Sequence, residues 1–216
     1  MNFSSHGVEK TSGNHGSRTV LAVVVGLVVT AALGCYSSKP PPPPDTQGTF
    51  AEFYAKGLTA FDRDDADAAE TAFKIAIQKN ARHPYPHFYL GVLYVERGET
   101  ELAIVAFERA VELEPNFPEA LFNLGTIQLD RREAALAVKY FEESLARDPD
   151  YIPAFNNLGK AYFLAGYPEM AGAAYEEVLV RDPDNEIALE GLAALARGAG
   201  ADEAEQLYRS RLGDGR

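Results

Sequence analysis

Cysteine is almost absent from this 216-residue chain: Cys35 stands alone. A single thiol excludes any intramolecular disulfide, so its presence asks for another explanation. Tryptophan is missing altogether. Basic residues are few, 20 Lys and Arg against 32 Asp and Glu, giving a formal net charge of −12. Lys10, Arg18 and Glu9 leave the first 34 residues at +1, so the acidity lies in the remainder. A surface of that sign repels phosphate backbones, which excludes nucleic acid as an expected partner. It keeps an extended protein soluble and steers basic partners towards it. Catalytic signatures are missing too, with no HExxH, GxSxG or phosphate-binding glycine loop. The chain does not read as an enzyme, and neither a cofactor nor a small-molecule substrate is expected. His83 and His87 have a ligand-like spacing, but Pro84 and Pro86 argue against a regular helix between them. Asp62, Asp64, Asp65 and Asp67 lack the glycine and terminal glutamate of a calcium loop. They read as a solvated turn, and no metal site is expected.

Long apolar runs are also scarce. Val20–Leu33, VLAVVVGLVVTAAL, has 14 residues without a charge. As a helix it spans about 21 Å, short of a roughly 30 Å hydrocarbon core. That length suits the apolar region of a signal peptide. The residues that follow, Ala31-Ala32-Leu33-Gly34-Cys35, resemble a bacterial lipoprotein signal, cleaved just before a Cys that carries acyl chains. Ala32 and Leu33 stand in the reverse of the usual order, whereas Gly34 fits. The resemblance implies a signal peptide over 1–34 and a lipidated Cys35 that begins a proline-rich linker over 35–49. Each buried CH₂ of an acyl chain contributes about 0.8 kcal/mol, so two or more chains anchor stably. Tyr36 rather than Asp after the Cys resembles the outer-membrane sorting signal. It implies an exported protein on the periplasmic face of the outer membrane, if the host has two membranes. Pro40–Pro44 is expected to be polyproline II, and Tyr36–Thr49 reaches at most roughly 40 Å as a semi-rigid stalk.

Beyond the linker the chain repeats itself every 34 residues. Gly57, Gly91, Gly125 and Gly159 align, as do Ala69, Ala103, Ala137 and Ala171. Phe73, Phe107, Phe141 and Tyr175 form a third row, and Pro115, Pro149 and Pro183 a fourth, each Pro preceded by an acid. Apolar spacing predicts two helices per unit, in the second unit about Tyr85–Glu96 and Thr100–Leu113. Gly91 and Ala103 are small because the helices approach closely there. Pro115 has no N–H and disfavours helix at the residue before it, which ends the second helix. The units run 50–83, 84–117, 118–151 and 152–185. The first departs most, with Lys56 where Leu90, Leu124 and Leu158 stand; an outermost repeat faces solvent on one side. Residues 186–216 form a degenerate fifth unit and tail, with helices over Glu186–Arg197 and Asp202–Leu212. Placing Ala204 and Tyr208 in the Ala and aromatic rows makes that unit one residue short.

This pattern resembles the tetratricopeptide repeat over about residues 50–212. The resemblance implies an all-α fold, a right-handed α-solenoid whose concave face is lined mainly by the first helix of each pair. In that family positions 2, 5, 9, 12 and 13 of the first helix point into the groove. Carried over, they give Tyr54, Leu58 and Phe61 in unit one, and Tyr85, Phe88, Val92, Val95 and Glu96 in unit two. Unit three gives Glu119, Phe122, Thr126, Leu129 and Asp130, and unit four Asn156, Lys160 and Phe163. Asn123 and Asn157, at position 6, resemble residues that contact a bound backbone. The aromatic stripe Tyr54, Phe88, Phe122 is expected to grip a partner segment through apolar anchors, unless it packs against neighbouring helices. Lys160 is the one cation in this set, which argues against a carboxylate clamp. The architecture is similar to pilotin-like lipoproteins of type IV pili and tight-adherence systems. It implies a lipid-anchored interaction scaffold, with a membrane contact through acyl chains and a protein partner. The alternative is an accessory subunit that localises an envelope enzyme or transporter.

Overall fold

A computed structural model describes residues 49–213. The expected leader, Cys35 and the linker up to residue 48 lie outside the described residues, as do residues 214–216. The described part is helical, with ten helices and no strand. They come in consecutive pairs: α1 (Thr49–Asp62) with α2 (Ala66–Lys79), α3 (Pro84–Glu96) with α4 (Thr100–Leu113), and α5 (Pro118–Asp130) with α6 (Ala134–Arg147). Then come α7 (Ile152–Leu164) with α8 (Pro168–Arg181), and α9 (Glu186–Gly198) with α10 (Asp202–Gly213). Helices within a pair pack on each other, and each second helix packs on the next pair's first helix. The first helices α5, α7 and α9 also meet in succession. This is the all-α solenoid that the repeat implies.

Burial follows the helix period. In α4 Ala103, Ala106, Phe107 and Ala110 are buried, one stripe of a helix open on its other side. In α3 burial is nearly all round, from Phe88 through Tyr94, because this helix has neighbours on both flanks. The glycine row explains how close a pair lies. A Cβ at Gly91 would stand 2.6 Å from the Phe107 ring, and one at Gly125 would stand 2.7 Å from Phe141. Each aromatic of the second helix therefore fills the space that a Cβ on the first would need. Tyr175 is covered twice, by Gly159 and by Gly191 of the following pair. Burial raises the Tyr175 hydroxyl to about 12.

The turn within each pair is the same device five times. Asp64, Gly98, Arg132, Gly166 and Gly200 all take positive φ, between 61° and 84°. The N–H that follows reaches back five residues: Asp65 to Ala60, Glu99 to Tyr94, Glu133 to Gln128, Tyr167 to Tyr162 and Ala201 to Ala196, at 2.8–3.0 Å. This is a Schellman cap, which satisfies the last carbonyls of the first helix. The fifth turn, at Gly200, keeps the spacing of the others, so the fifth unit is not one residue short as the side-chain pattern suggested. Its side chains slip instead: Glu205 stands in the Ala row and Arg209 in the aromatic row, while Ala204 and Tyr208 are half-buried beside them. The second helices also stop alike. Asn80, Glu114, Asp148 and Asp182 share an extended backbone with φ between −144° and −132°. Asn80 does so with no Pro after it, so packing of the next pair fixes this corner even where Pro is missing.

Candidate interaction face

The residues expected to line a groove separate into two groups. Position 5 is closed. Tyr54 is 1% exposed, and Phe88, Phe122 and Asn156 are also buried. Phe88 packs on Phe117 with ring centroids 4.9 Å apart, and Phe122 meets Tyr151 edge-on at 5.4 Å. Tyr54 faces His83 at 5.5 Å. The aromatic stripe is therefore core, which is the packing alternative rather than a set of open anchors for a guest. A second aromatic row, His83, Phe117 and Tyr151, lies at the corner between units and closes over position 5. Its own 34-residue spacing was visible in the sequence. In unit four both members of the pair become amide side chains, Asn156 and Asn185. Asn185 caps α9 by accepting from the Ala188 N–H, whereas the Asn156 Oδ1 has no hydrogen-bond partner.

Position 6 is occupied as well. Asn123 donates to the Glu119 carbonyl one turn back, at 2.7 Å. Asn157 donates to Thr126 Oγ1 at 3.3 Å, and Thr126 donates to the Phe122 carbonyl, tying α7 to α5. Val92 is buried, while Leu58, Tyr85 and Thr126 are half-buried. Lys160 is exposed.

Positions 12 and 13 are more open than position 5. Position 12 carries Phe61, Val95, Leu129 and Phe163, the first three half-buried and Phe163 52% exposed. Position 13 carries Asp62, Glu96, Asp130 and Leu164. An apolar row thus runs beside an acidic row at the ends of the first helices. Glu96 and Asp130 form no salt bridge among the described residues, although arginines lie close along the turn edge. Loss of hydration raises the Glu96 carboxyl above its ordinary value, and Asp64 raises it further, with Arg97 opposing. Loss of hydration also raises Asp130, with Lys160 opposing. Glu119 rises for the same first reason. Glu70 behaves oppositely, because hydrogen bonds from Lys74 and Arg97 hold its carboxyl low.

The arginines serve the joints between units. Arg97 pairs with Glu70 and, at 2.6 Å, with Asp67; Arg131 pairs with Glu101. Arg147 Nε donates to the Pro115 carbonyl at 3.1 Å, and Arg181 repeats the bond to Pro149 at 3.3 Å. Ala165 stands where the next turn arginine would be. Around it Phe163, Leu164, Tyr167 and Met170 are all strongly exposed, an apolar patch at the fourth turn.

The histidines do not converge as ligands. His83 precedes α3 among Phe50, Tyr54 and Tyr85, its Nδ1 buried without a partner. Helix α3 begins at Pro84 and includes Pro86, so the prolines open a helix rather than prevent one. They sit in the first turn, where N–H groups have no intrahelical acceptor. His87 Nε2 lies 3.4 Å from the Ala81 carbonyl. Of the acidic run, Asp65 caps α2 through the Ala68 N–H and Asp67 pairs with Arg97. No cluster with metal-ligand geometry occurs among the described residues.

A family model described as TPR repeat matches residues 91–130. One described as tetratricopeptide repeat matches 118–151 and 152–185. The comparison with curated proteins finds no match. Among solved structures, the MamA protein superposes with a TM-score of 0.70 at 22% identity, covering 77% of this chain and 91% of that one. PilF of Pseudomonas aeruginosa gives 0.69 at 17% identity, covering 79% and 78%. PilW, described as a widely conserved type IV pilus biogenesis factor, gives 0.65 at 20%, covering 75% of each chain. At these identities the likeness establishes the fold.

Proposed function

Since the chain carries tetratricopeptide repeats, we propose that it is a non-catalytic interaction scaffold, held in a bacterial envelope by acyl chains on Cys35. The observation that carries this reading is the pair of rows at positions 12 and 13 of the first helices, whose apolar members are half-buried in the first three units and exposed at Phe163 and Leu164, beside Tyr167 and Met170. Large apolar side chains exposed in a group mark an interaction surface. The fold likeness to PilF and PilW supports a role in assembling a pilus or secretion complex. The leader and Cys35 support the anchor.

Affinity capture from solubilised envelope tests the scaffold. Leu129→Ser with Phe163→Ser should release partners that the natural sequence retains, at unchanged far-UV circular dichroism. Equal capture by both proteins would remove the face from consideration. Phe88 and Phe122 are unsuitable for this purpose, because their loss empties the core. Globomycin tests the anchor on its own: an acylated Cys35 requires that blocking the lipoprotein signal peptidase leaves an unprocessed precursor. Cys35→Ser should give the same unprocessed species without the drug.

A further inference from the structure

Charge is spread unevenly along the edge where the pairs turn. The first three turns read Asp62-Arg63-Asp64-Asp65, Glu96-Arg97-Gly98-Glu99 and Asp130-Arg131-Arg132-Glu133. The fourth reads Leu164-Ala165-Gly166-Tyr167 and the fifth Gly198-Ala199-Gly200-Ala201, neither with a charge. At the fourth turn, large apolar side chains stand on both sides of the bend. Phe163 and Leu164 end α7, Tyr167 precedes α8 and Met170 lies in its first turn. Each is 46–56% exposed. The backbone of this tip is already satisfied. The Ala165, Gly166 and Tyr167 N–H groups donate to the Ala161, Phe163 and Tyr162 carbonyls at 2.9–3.1 Å. Pro168, where the other second helices begin with Ala66, Thr100, Ala134 and Asp202, has no N–H to satisfy. The bend can therefore leave water without stranding those donors.

We propose that the fourth turn dips into the surface of the lipid bilayer that holds the acyl chains of Cys35, as a second membrane contact. The inference rests on the reading of Cys35 as an anchor and leaves the rows of the first three units to a protein. No helix among the described residues is long and apolar enough to cross a membrane, so the contact is interfacial. Phe and Tyr half in hydrocarbon and half in headgroups suit that layer. Area argues against a second copy. A half-exposed large side chain leaves about 100 Å² uncovered, so four offer about 400 Å². A stable protein interface takes about 800 Å² per partner. A bilayer sets no such threshold, because acyl chains already hold the chain at its surface. Charge points the same way. Anionic headgroups repel a protein of net charge −12, and the last two turns are the stretch of this edge that approaches without that penalty. Glu169, exposed beside the tip, stays among the headgroups and limits the depth to the apolar side chains. Tyr36–Thr49 spans at most roughly 40 Å, which keeps the start of α1 within that distance of the anchored residue.

The chain has no tryptophan, so a single introduced one reports its own surroundings. Full-length lipidated protein carrying Tyr167→Trp is reconstituted into vesicles of phosphatidylethanolamine and phosphatidylglycerol, with plain or brominated acyl chains. Val180→Trp is the control, at a site 76% exposed near the far end of α8. Emission of Tyr167→Trp should shift to the blue on reconstitution and be quenched by the brominated lipid, and that of Val180→Trp should do neither. Adding Leu164→Asp to Tyr167→Trp should restore unquenched emission at unchanged far-UV circular dichroism. Flotation with the vesicles reads the anchor separately. Protein that does not float refutes the anchor and this inference together. Protein that floats with Tyr167→Trp unquenched, or with both tryptophans quenched equally, overturns the fourth-turn contact and leaves the anchor standing. A blue shift that follows protein concentration and ignores bromine would put a second copy on the patch and also overturns it.

Discussion

A hydrogen atom at Gly91 sets the distance between α3 and α4, because the Phe107 ring occupies the space a methyl group would need. Gly91→Ala is expected to cost about 1–3 kcal/mol, the range for overpacking a filled core. Chemical denaturation at unchanged m-value is the measurement, and Phe107→Leu in the same chain should recover part of the loss. This pairing was legible, since the glycine and aromatic rows share one period. The burial of Phe88 and Phe122 stood only as an alternative to groove binding, because their partners Phe117 and Tyr151, though they recur with the same period, lie in the short connection between units, where a large side chain reads as loop. Glu96 makes a prediction of opposite sign. Its folded-state proton affinity is raised, so ionisation costs stability as pH rises from the ordinary carboxylate range through the raised value. Glu96→Gln should melt about 1–2 °C higher at pH 7, with the advantage vanishing below about pH 4. A variant that melts lower at pH 7 would show that the carboxylate has a stabilising partner.

At the scale of elements, the turns show where local chemistry and register disagree. Three of the five positive-φ positions are glycine, which occupies that region without strain, but Asp64 and Arg132 also lie there. Arg132→Gly should stabilise by about 1 kcal/mol, since L-residues other than Asn and Asp rarely adopt this backbone. Gly166→Ala should destabilise by a similar amount, and thermal melts of the two single variants decide both. An Arg at such a place hides the turn from a reading based on glycine, yet helix ends on either side were legible from the apolar period. The fifth unit misled for a related reason. Ala204 and Tyr208 copy the expected pattern one place early, while the backbone obeys Gly200. Turn geometry outranked side-chain pattern there, because α10 has no following pair to demand a particular face.

For the whole described array, stability is a sum of units and the joints between them. Ending the chain at Asn185 removes α9 and α10 and uncovers one side of Tyr175, which Gly191 otherwise closes. The shortened protein should keep the helical signal of its first four pairs and melt roughly 10 °C lower, corresponding to several kcal/mol. Complete unfolding on truncation would mean that the last pair is a nucleus rather than a cover. The repeat number and the helix pairing were legible from the sequence, because each unit buries the same residues at the same spacing. Which edge stays open was not, since openness depends on what the neighbouring pair places opposite.

The first four pairs end in the same extended corner and all five turn on the same cap, so this part of the protein is built of interchangeable modules. Splicing in a second copy of residues 84–117 would preserve every joint and add one more acidic rung with its apolar companion. Reach would then grow in whole-module steps, and evolution could match the array to a longer guest by gene duplication rather than by remodelling a surface. Deleting one residue inside a module would instead rotate all that follows in that helix by about 100°, which puts such lengths beyond gradual change.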